Sequence, residues 1–487
     1  MARSRRRGAG QAACLAMMAT LAIAMGLPRT LIADETLQDA WAIALGSNQG
    51  LQASQAGTAA ARQGLAAARA ERMPMVNSTN AYTWLNTAPT FKTSLALPGT
   101  SAPLSFSFPF ANQDFFVSST LMNIPLYTGG RVRSGIDAAS AQAGAAHAEE
   151  TTAAQDLKLD VAQAYLNVLR VEKLLLLART STTSLESHQR DVNNLFREGI
   201  AKRTDLLASQ VSLARARQRV IQATNERDVA RAAYNRLLGR ALTEPTALQE
   251  MAIHTGPEIT RTSFDDHGNG PDPTAAGLPS PLPDAPGPGE DTPATGPEQD
   301  AEIERLTAIA LSGRSELAAL AGQARAYSAQ ARVAESVKKP QVGLIGGFTY
   351  LQNDQMTRND FWSGSFAATW LLCDAGRSSR RAESLRFKEA QSLKQRNEAA
   401  SKIALSVRST WLSLQSARAA LAVARSAMHQ ADENLRETRD RYREQVVTNT
   451  EVLDAETLRL QTYTDYYNAF YAVLMEQFRL RRAICAL

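Results

Sequence analysis

The sequence predicts a mainly α-helical chain with a membrane β-barrel part, built from a duplicated helix–strand–strand–helix unit. Three observations predict it. From Phe115 onward the chain matches itself at a separation of 246 residues (442 − 196), with Phe196 on Tyr442, Glu198 on Glu444, Asp205 on Glu451 and Leu207 on Leu453. Proline-free stretches of about 70 residues carry apolar side chains at steps of four and three, too long for a compact domain. Each copy also holds two short alternating segments, the period of a strand.

Residues 34–240 form the first repeat. Asp34 to Arg72 is Ala-rich, and a helix there must stop before Pro74, whose ring removes a donor and restricts its predecessor. A strand follows over 75–86, with Val76, Tyr82 and Trp84 on one face and Asn77, Thr79 and Thr83 on the other. Thr87 to Asp114 contains Pro89, Pro98, Pro103 and Pro109 and predicts a long loop. A second strand, 115–127, closes on Thr128 to Arg131. The heptad Leu157, Val161, Ala164, Val168, Val171, Leu175, Ala178 then runs along a helix of about 100 Å. Gly199 marks the tip of a helical hairpin, and its second arm, Thr204 to Leu238, ends at Gly239.

Residues 241–301 differ in kind. Ten of the 19 prolines lie between Pro257 and Asp300, with almost no aliphatic residue, which predicts a disordered insert. Residues 302–487 repeat the plan: Pro340 falls on Pro74, strands occupy 341–352 and 361–373, and the heptad returns as Ile403, Val407, Thr410, Leu414, Ala417, Leu421 and Ala424. Arg377 to Leu487 holds neither Gly nor Pro. Alignment to Gly199 and the weak helix formers Val446 to Thr450 place its tip near Gln445.

The N-terminus reads as a secretory signal peptide over 1–33, with a basic head, an apolar run from Ala12 to Leu27 and cleavage after Ala24 or Ala33, the latter preferred. Its removal takes five arginines, reducing 53 basic side chains to 48 against 48 acidic ones. The balance then offers nothing to nucleic acid. Five scattered histidines, two lone mature cysteines and the absence of nucleophile-elbow, phosphate-loop or paired-cysteine motifs predict no enzyme, no metal and no cofactor.

The even-numbered faces of the later strands carry Val342, Leu344, Phe348 and Tyr350, then Trp362, Phe366, Trp370 and Leu372. Aromatic ends with an apolar middle suit a face in contact with outer-membrane lipid. Four strands cannot close a barrel in a membrane. Two chains supply eight strands, which side chains fill; three supply twelve and leave a lumen, which the helices would continue as a coiled-coil tunnel. The competing expectation is a soluble periplasmic coiled-coil adaptor.

The duplicated plan, Pro74 and Pro340, the strand exits Pro125–Arg131 and Leu371–Arg377, the stretch Arg441–Glu456 and the signal peptide together resemble the TolC-like outer-membrane efflux protein family. The resemblance implies a homotrimeric channel-tunnel, a periplasmic adaptor, an inner-membrane pump or ABC transporter as partners, and the insert at a mid-tunnel belt. It implies export of small molecules or secreted polypeptides. Glu451 and Asp454, one helical turn apart, match acidic residues at the family's narrow periplasmic entrance. Tyr442 and Asp205 match a latch between hairpins; the basic residue completing it falls on Val447, with Lys202 or Arg203 as the substitute. Glu198, Gly199, Ile200 and Glu444, Gln445, Val446 match tips that touch the adaptor.

Overall fold

A computed structural model describes residues 34–95, 104–251 and 296–487. The expected signal peptide, Pro98, Pro103 and most of the proline-rich insert lie outside the described residues.

The first copy runs α1 (Leu37–Ser47), α2 (Gln49–Ala70), β1 (Met75–Trp84), β2 (Thr90–Leu95), β3 (Leu104–Pro109), β4 (Asp114–Tyr127), α3 (Arg131–Arg197) and α4 (Arg203–Leu237). The second runs α5 (Gly296–Gly313), α6 (Ser315–Ser336), β5 (Gln341–Leu351), β6 (Asp360–Thr369), α7 (Arg377–Arg443) and α8 (Asn449–Ala483). Both α3 and α7 have 67 residues, and both α4 and α8 have 35. All four boundaries shift by 246 (377 − 131).

The chain also leaves the right-handed region at paired places. Gly129, Gly130, Gly199 and Gly239 have positive φ, and so do Ala375, Gly376, Gln445 and Cys485, each 246 residues on. The helix ends at Gly199 and Gln445 close by the same hydrogen bonds: Ile200 N–H to Leu195 O at 2.9 Å, and Val446 N–H to Arg441 O at 2.9 Å. Three of the four positions in the second copy therefore carry a side chain where one costs roughly 1–2 kcal/mol.

The long helices form the frame. Near the strands α2 lies on α3, and α6 lies between α3 and α7. Toward the tips α4 lies on α3, and α8 between α3 and α7. The α3–α6 seam is made of small residues: a Cβ on Gly322 would sit 3.0 Å from that of Ala145. Where the short helices meet end to end, side chains of the upper break cap the lower carbonyls. Asn48 Nδ2 donates to Leu237 O at 2.9 Å, and at the matching place Arg314 Nε donates to Ala483 O at 3.2 Å. Around this belt lies the largest buried cluster, with Val161, Tyr165, Leu166, Val168, Tyr234, Phe470 and Tyr471. Among the described residues no helix is long and apolar enough to cross a membrane.

The main sheet is antiparallel in the order β1-β4-β5-β6, and its registers (Val76↔Met122, Thr120↔Phe348, Phe348↔Trp362) put the even-numbered residues on one face, up to a bulge after Pro125 that brings Tyr127 opposite Val342. That face carries Phe348, Tyr350, Trp362 and Phe366, and among the described residues it is left largely open: Trp362 is 82% and Phe366 78% exposed. The odd face holds Asn77, Thr79, Ser119, Thr349, Ser363 and Ser365.

Three expectations need correction. Thr87–Asp114 contains a hairpin, β2–β3, because Phe91, Phe106 and Phe108 alternate with Lys92, Ser105 and Ser107 between the prolines. The last strand ends at Thr369, so Trp370 lies just beyond it; Gln341, the first residue of β5, already pairs with Thr369, and Pro340 has no N–H to extend the ladder. Trp370 Nε1 instead donates to Lys338 O at 3.0 Å. Finally, both ends of the expected disordered insert are ordered: Leu248 bridges to Glu35, and Gly296–Asp300 begin α5.

Glycine spacing in β5 yields a test. A Cβ on Gly347 would run into the Thr120 carbonyl of β4, whereas one on Gly364 would meet nothing within 4 Å. Gly347→Ala is expected to cost roughly 2–3 kcal/mol through the β4–β5 pairing and Gly364→Ala well under 1, compared by thermal unfolding.

Candidate functional site

The candidate site is the end of the molecule farthest from the sheet, where α3 turns into α4 and α7 into α8. Five residues make each turn, 198–202 and 444–448. Gly199 (φ 78) and Gln445 (φ 60) reverse the chain at equivalent positions. Glu198, Glu444 and Gln445 are exposed, and the two apolar tip residues project: Ile200 is 48% and Val446 69% exposed.

Beyond each turn the new helix is started by its own acid. Glu451 Oε1 accepts from Thr448 N–H at 3.1 Å and Thr448 Oγ1 at 3.0 Å, a capping box that holds the carboxyl below the usual range. Asp205 does the same for α4, accepting from Lys202 N–H at 3.3 Å. Asp454, one turn past Glu451, is exposed and makes no ion pair. The two carboxylates assigned to the entrance thus share the start of one helix, and Glu451 also has a structural task.

Tyr442 and Asp205 are neighbours without being bonded to each other. Burial raises the phenol pKa of Tyr442, and the nearby charges of Asp205 and Asp191 raise it further. Its ring lies 5.5 Å from that of His188. Lys202 and Arg203 are exposed and form no ion pair.

The contact that joins the two hairpins is built from residues that sequence reasoning did not single out. His188 of α3, 6% exposed, shares its Nε2 with Asn449 Oδ1 at 2.7 Å, and Asn449 Nδ2 donates to Asp205 O at 3.1 Å. Two turns further along α8, Glu456 is 3% exposed; it accepts from Ser184 Oγ at 2.8 Å and is ion-paired with Arg439, which also donates to Ser184. Asp432 holds α7 to α8 above this, accepting from Arg459 and Tyr463, both at 2.6 Å. The signal was present in the spacing. Leu185, His188 and Val192, and again Asn449, Val452 and Glu456, follow steps of three and four, with polar groups interrupting an apolar seam.

This network occurs once per chain. The equivalents of Ser184, His188, Arg439, Asn449 and Glu456 in the other copy are Gln430, Asn434, Asn193, Arg203 and Gln210, which cannot reproduce it. Burial pushes the His188 imidazole below its usual pKa, opposed by its bond to Asn449 and assisted by the Arg439 charge. The ring is therefore neutral at neutral pH. As pH falls below about 6.5, a chain with the seam open takes up a proton that the packed ring resists, so closure loses stability.

Comparison with known proteins follows the same geometry. The family model described as outer membrane efflux protein matches residues 42–240 and 306–486, the two repeats. Among solved structures, CusC, studied for the conformational changes of folding and transmembrane channel formation, has TM-score 0.70 and 16% identity, covering 94% of this chain and 93% of its own. The outer-membrane channel OprN has TM-score 0.68 and 18% identity, covering 93% and 90%. The outer membrane protein VceC of Vibrio cholerae has TM-score 0.69 and 15% identity, covering 92% and 95%. At these identities the likeness is one of fold. No curated protein matches the chain by sequence.

Two outcomes are expected at the seam. Arg439→Ala leaves the Glu456 carboxylate buried without its partner and costs about 3 kcal/mol locally, seen as faster amide exchange in 184–192 and 449–456. Between pH 7 and 5 the protection factors of the same amides, each taken against the intrinsic exchange rate at that pH, are expected to fall in the wild type, and His188→Gln removes most of that dependence.

Proposed function

The chain belongs to the outer membrane efflux protein family, a family of transport channels and not of enzymes, and on that premise we propose that three copies assemble into one duct across the outer membrane. The observation that carries this reading is the four-stranded sheet with an apolar face and two unpaired edges, β1 and β6. Three such sheets joined edge to edge make a twelve-stranded barrel with its even face toward lipid and its odd, polar face toward a lumen. The helices then continue the wall as a periplasmic tunnel of about 100 Å.

In this reading the tips are the periplasmic end. Glu451 and Asp454 from three chains converge on the axis as a ring of carboxylates, attractive to cations. The Arg439–Glu456–Ser184 and His188–Asn449 contacts hold the inner hairpin, α7–α8, against α3, and act as the latch in place of a Tyr442–Asp205 bond. Ile200 and Val446 offer apolar knobs to a periplasmic adaptor, which couples the duct to an inner-membrane pump or ABC transporter. The cargo is small molecules or secreted polypeptides. A soluble adaptor is disfavoured by the family match and by the uncovered aromatic sheet.

The expected outcome of fractionation is an outer-membrane protein that runs as a heat-sensitive trimer; a soluble periplasmic monomer would falsify the duct. In planar bilayers Glu451→Ala combined with Asp454→Ala is expected to lower cation over anion selectivity several-fold, and unchanged selectivity would remove the carboxylate ring.

A further inference from the structure

The strand ends nearest the helices are cationic, and their charges form no ion pair among the described residues; Lys338 donates to Ser379 Oγ at 2.6 Å and lies near the Asp374 carboxylate. Arg72 precedes β1, Arg133 follows β4, Lys338 and Lys339 precede β5, and Arg377 and Arg381 follow β6. All six are exposed, and none forms an ion pair. The nearby acids are largely engaged elsewhere. Glu71 pairs with Arg131 at 3.1 Å, Glu335 with Arg386, and Asp374 accepts from the amides of Gly376 and Ser378 at 3.0 and 2.8 Å. Glu383 remains as an exposed acid without an ion pair. The opposite end of the sheet has the reverse balance: exposed Asp114, Asp354 and Asp360 against Lys92 and Arg358.

A second observation places the collar at a lipid boundary. Next to it lie large side chains that the chain leaves uncovered: Trp370, 61% exposed and bonded through its indole N–H to the Lys338 carbonyl, Leu372 at 79% and Tyr127 at 52%. Amphipathic aromatics beside unpaired lysines and arginines are the arrangement that meets a headgroup layer.

We infer that this collar binds anionic phospholipid headgroups in the leaflet on the helix side of the membrane, fixing the height of the sheet in the bilayer. The inference rests on the channel reading above. Four strand ends from both repeats contribute, so each chain presents cations all along its share of the rim. The attraction acts within a Debye length of the headgroups and weakens with salt.

The test uses the full-length chain purified in detergent and titrated with fluorescent phosphatidylglycerol or phosphatidylcholine. Phosphatidylglycerol is expected to bind about tenfold more tightly at low salt, with the preference falling to within about twofold in ~0.5 M NaCl. Replacing Lys338, Lys339, Arg377 and Arg381 by Gln is expected to abolish the preference, while Arg358→Gln at the other end retains it. Equal binding of the two lipids by the wild type, or a preference unchanged in the fourfold variant, overturns the inference. Displacement of phosphatidylglycerol by an equal concentration of inorganic phosphate overturns it too, by showing a site for the free anion. The salt dependence of the wild type stands as a test even where the variant fails to fold. A wild type that conducts in bilayers without lipid preference sinks this inference alone; one that neither inserts nor fractionates with the outer membrane sinks the channel reading with it.

Discussion

A strand edge exposed to hydrocarbon leaves a row of amide and carbonyl groups without partners, at several kcal/mol each. In the proposed duct the chain has two such edges, β1 and β6, on a sheet whose aromatic face is left open among the described residues. Much else in the structure answers to that constraint. Four strands cannot close a barrel in a membrane, so on the proposed reading the sheet is a segment awaiting its neighbours, and the helices that leave it run on to continue the same wall. The breaks at Asn48 and Arg314, where α2 and α6 begin, let α4 and α8 continue their lines toward the tips, with the Leu237 and Ala483 carbonyls capped.

The two copies keep the geometry and divide the chemistry. From the strand exits onward backbone shape is conserved to the residue, down to left-handed turns that the second copy makes with Ala375, Gln445 and Cys485. The side chains that join hairpins are not conserved between copies. A buried carboxylate, a buried imidazole and a buried amide sit on one side of α3 and have no counterparts 246 residues away. Divergence has been spent at the tip, where identical hairpins would have packed with equal strength to either side.

How much of this was legible depended on whether a feature has a period. The heptads along α3 and α7, the alternation in the strands and the prolines before β1 and β5 could all be read, because each repeats or interrupts a repeat. The tip at Gln445 was readable only through its partner Gly199, since glutamine by itself announces no left-handed turn. The β2–β3 hairpin was hidden by the prolines around it. Trp370 looked like a strand residue because aromatic character extends past the last ladder bond. Glu456 and His188 sat in the seams, yet a polar residue at such a position does not name its partner 250 or more residues away; that requires the fold.

If three chains form the proposed tube and it closes at the tips, one lock per chain, rather than one per repeat, has a statistical consequence. If each of three locks fluctuates open independently about one time in a hundred, all three are open together on the order of one time in a million. A pore that must dilate on every side at once would then leak very little between export events. A partner that grips three tips together would still need to supply only three small increments of work.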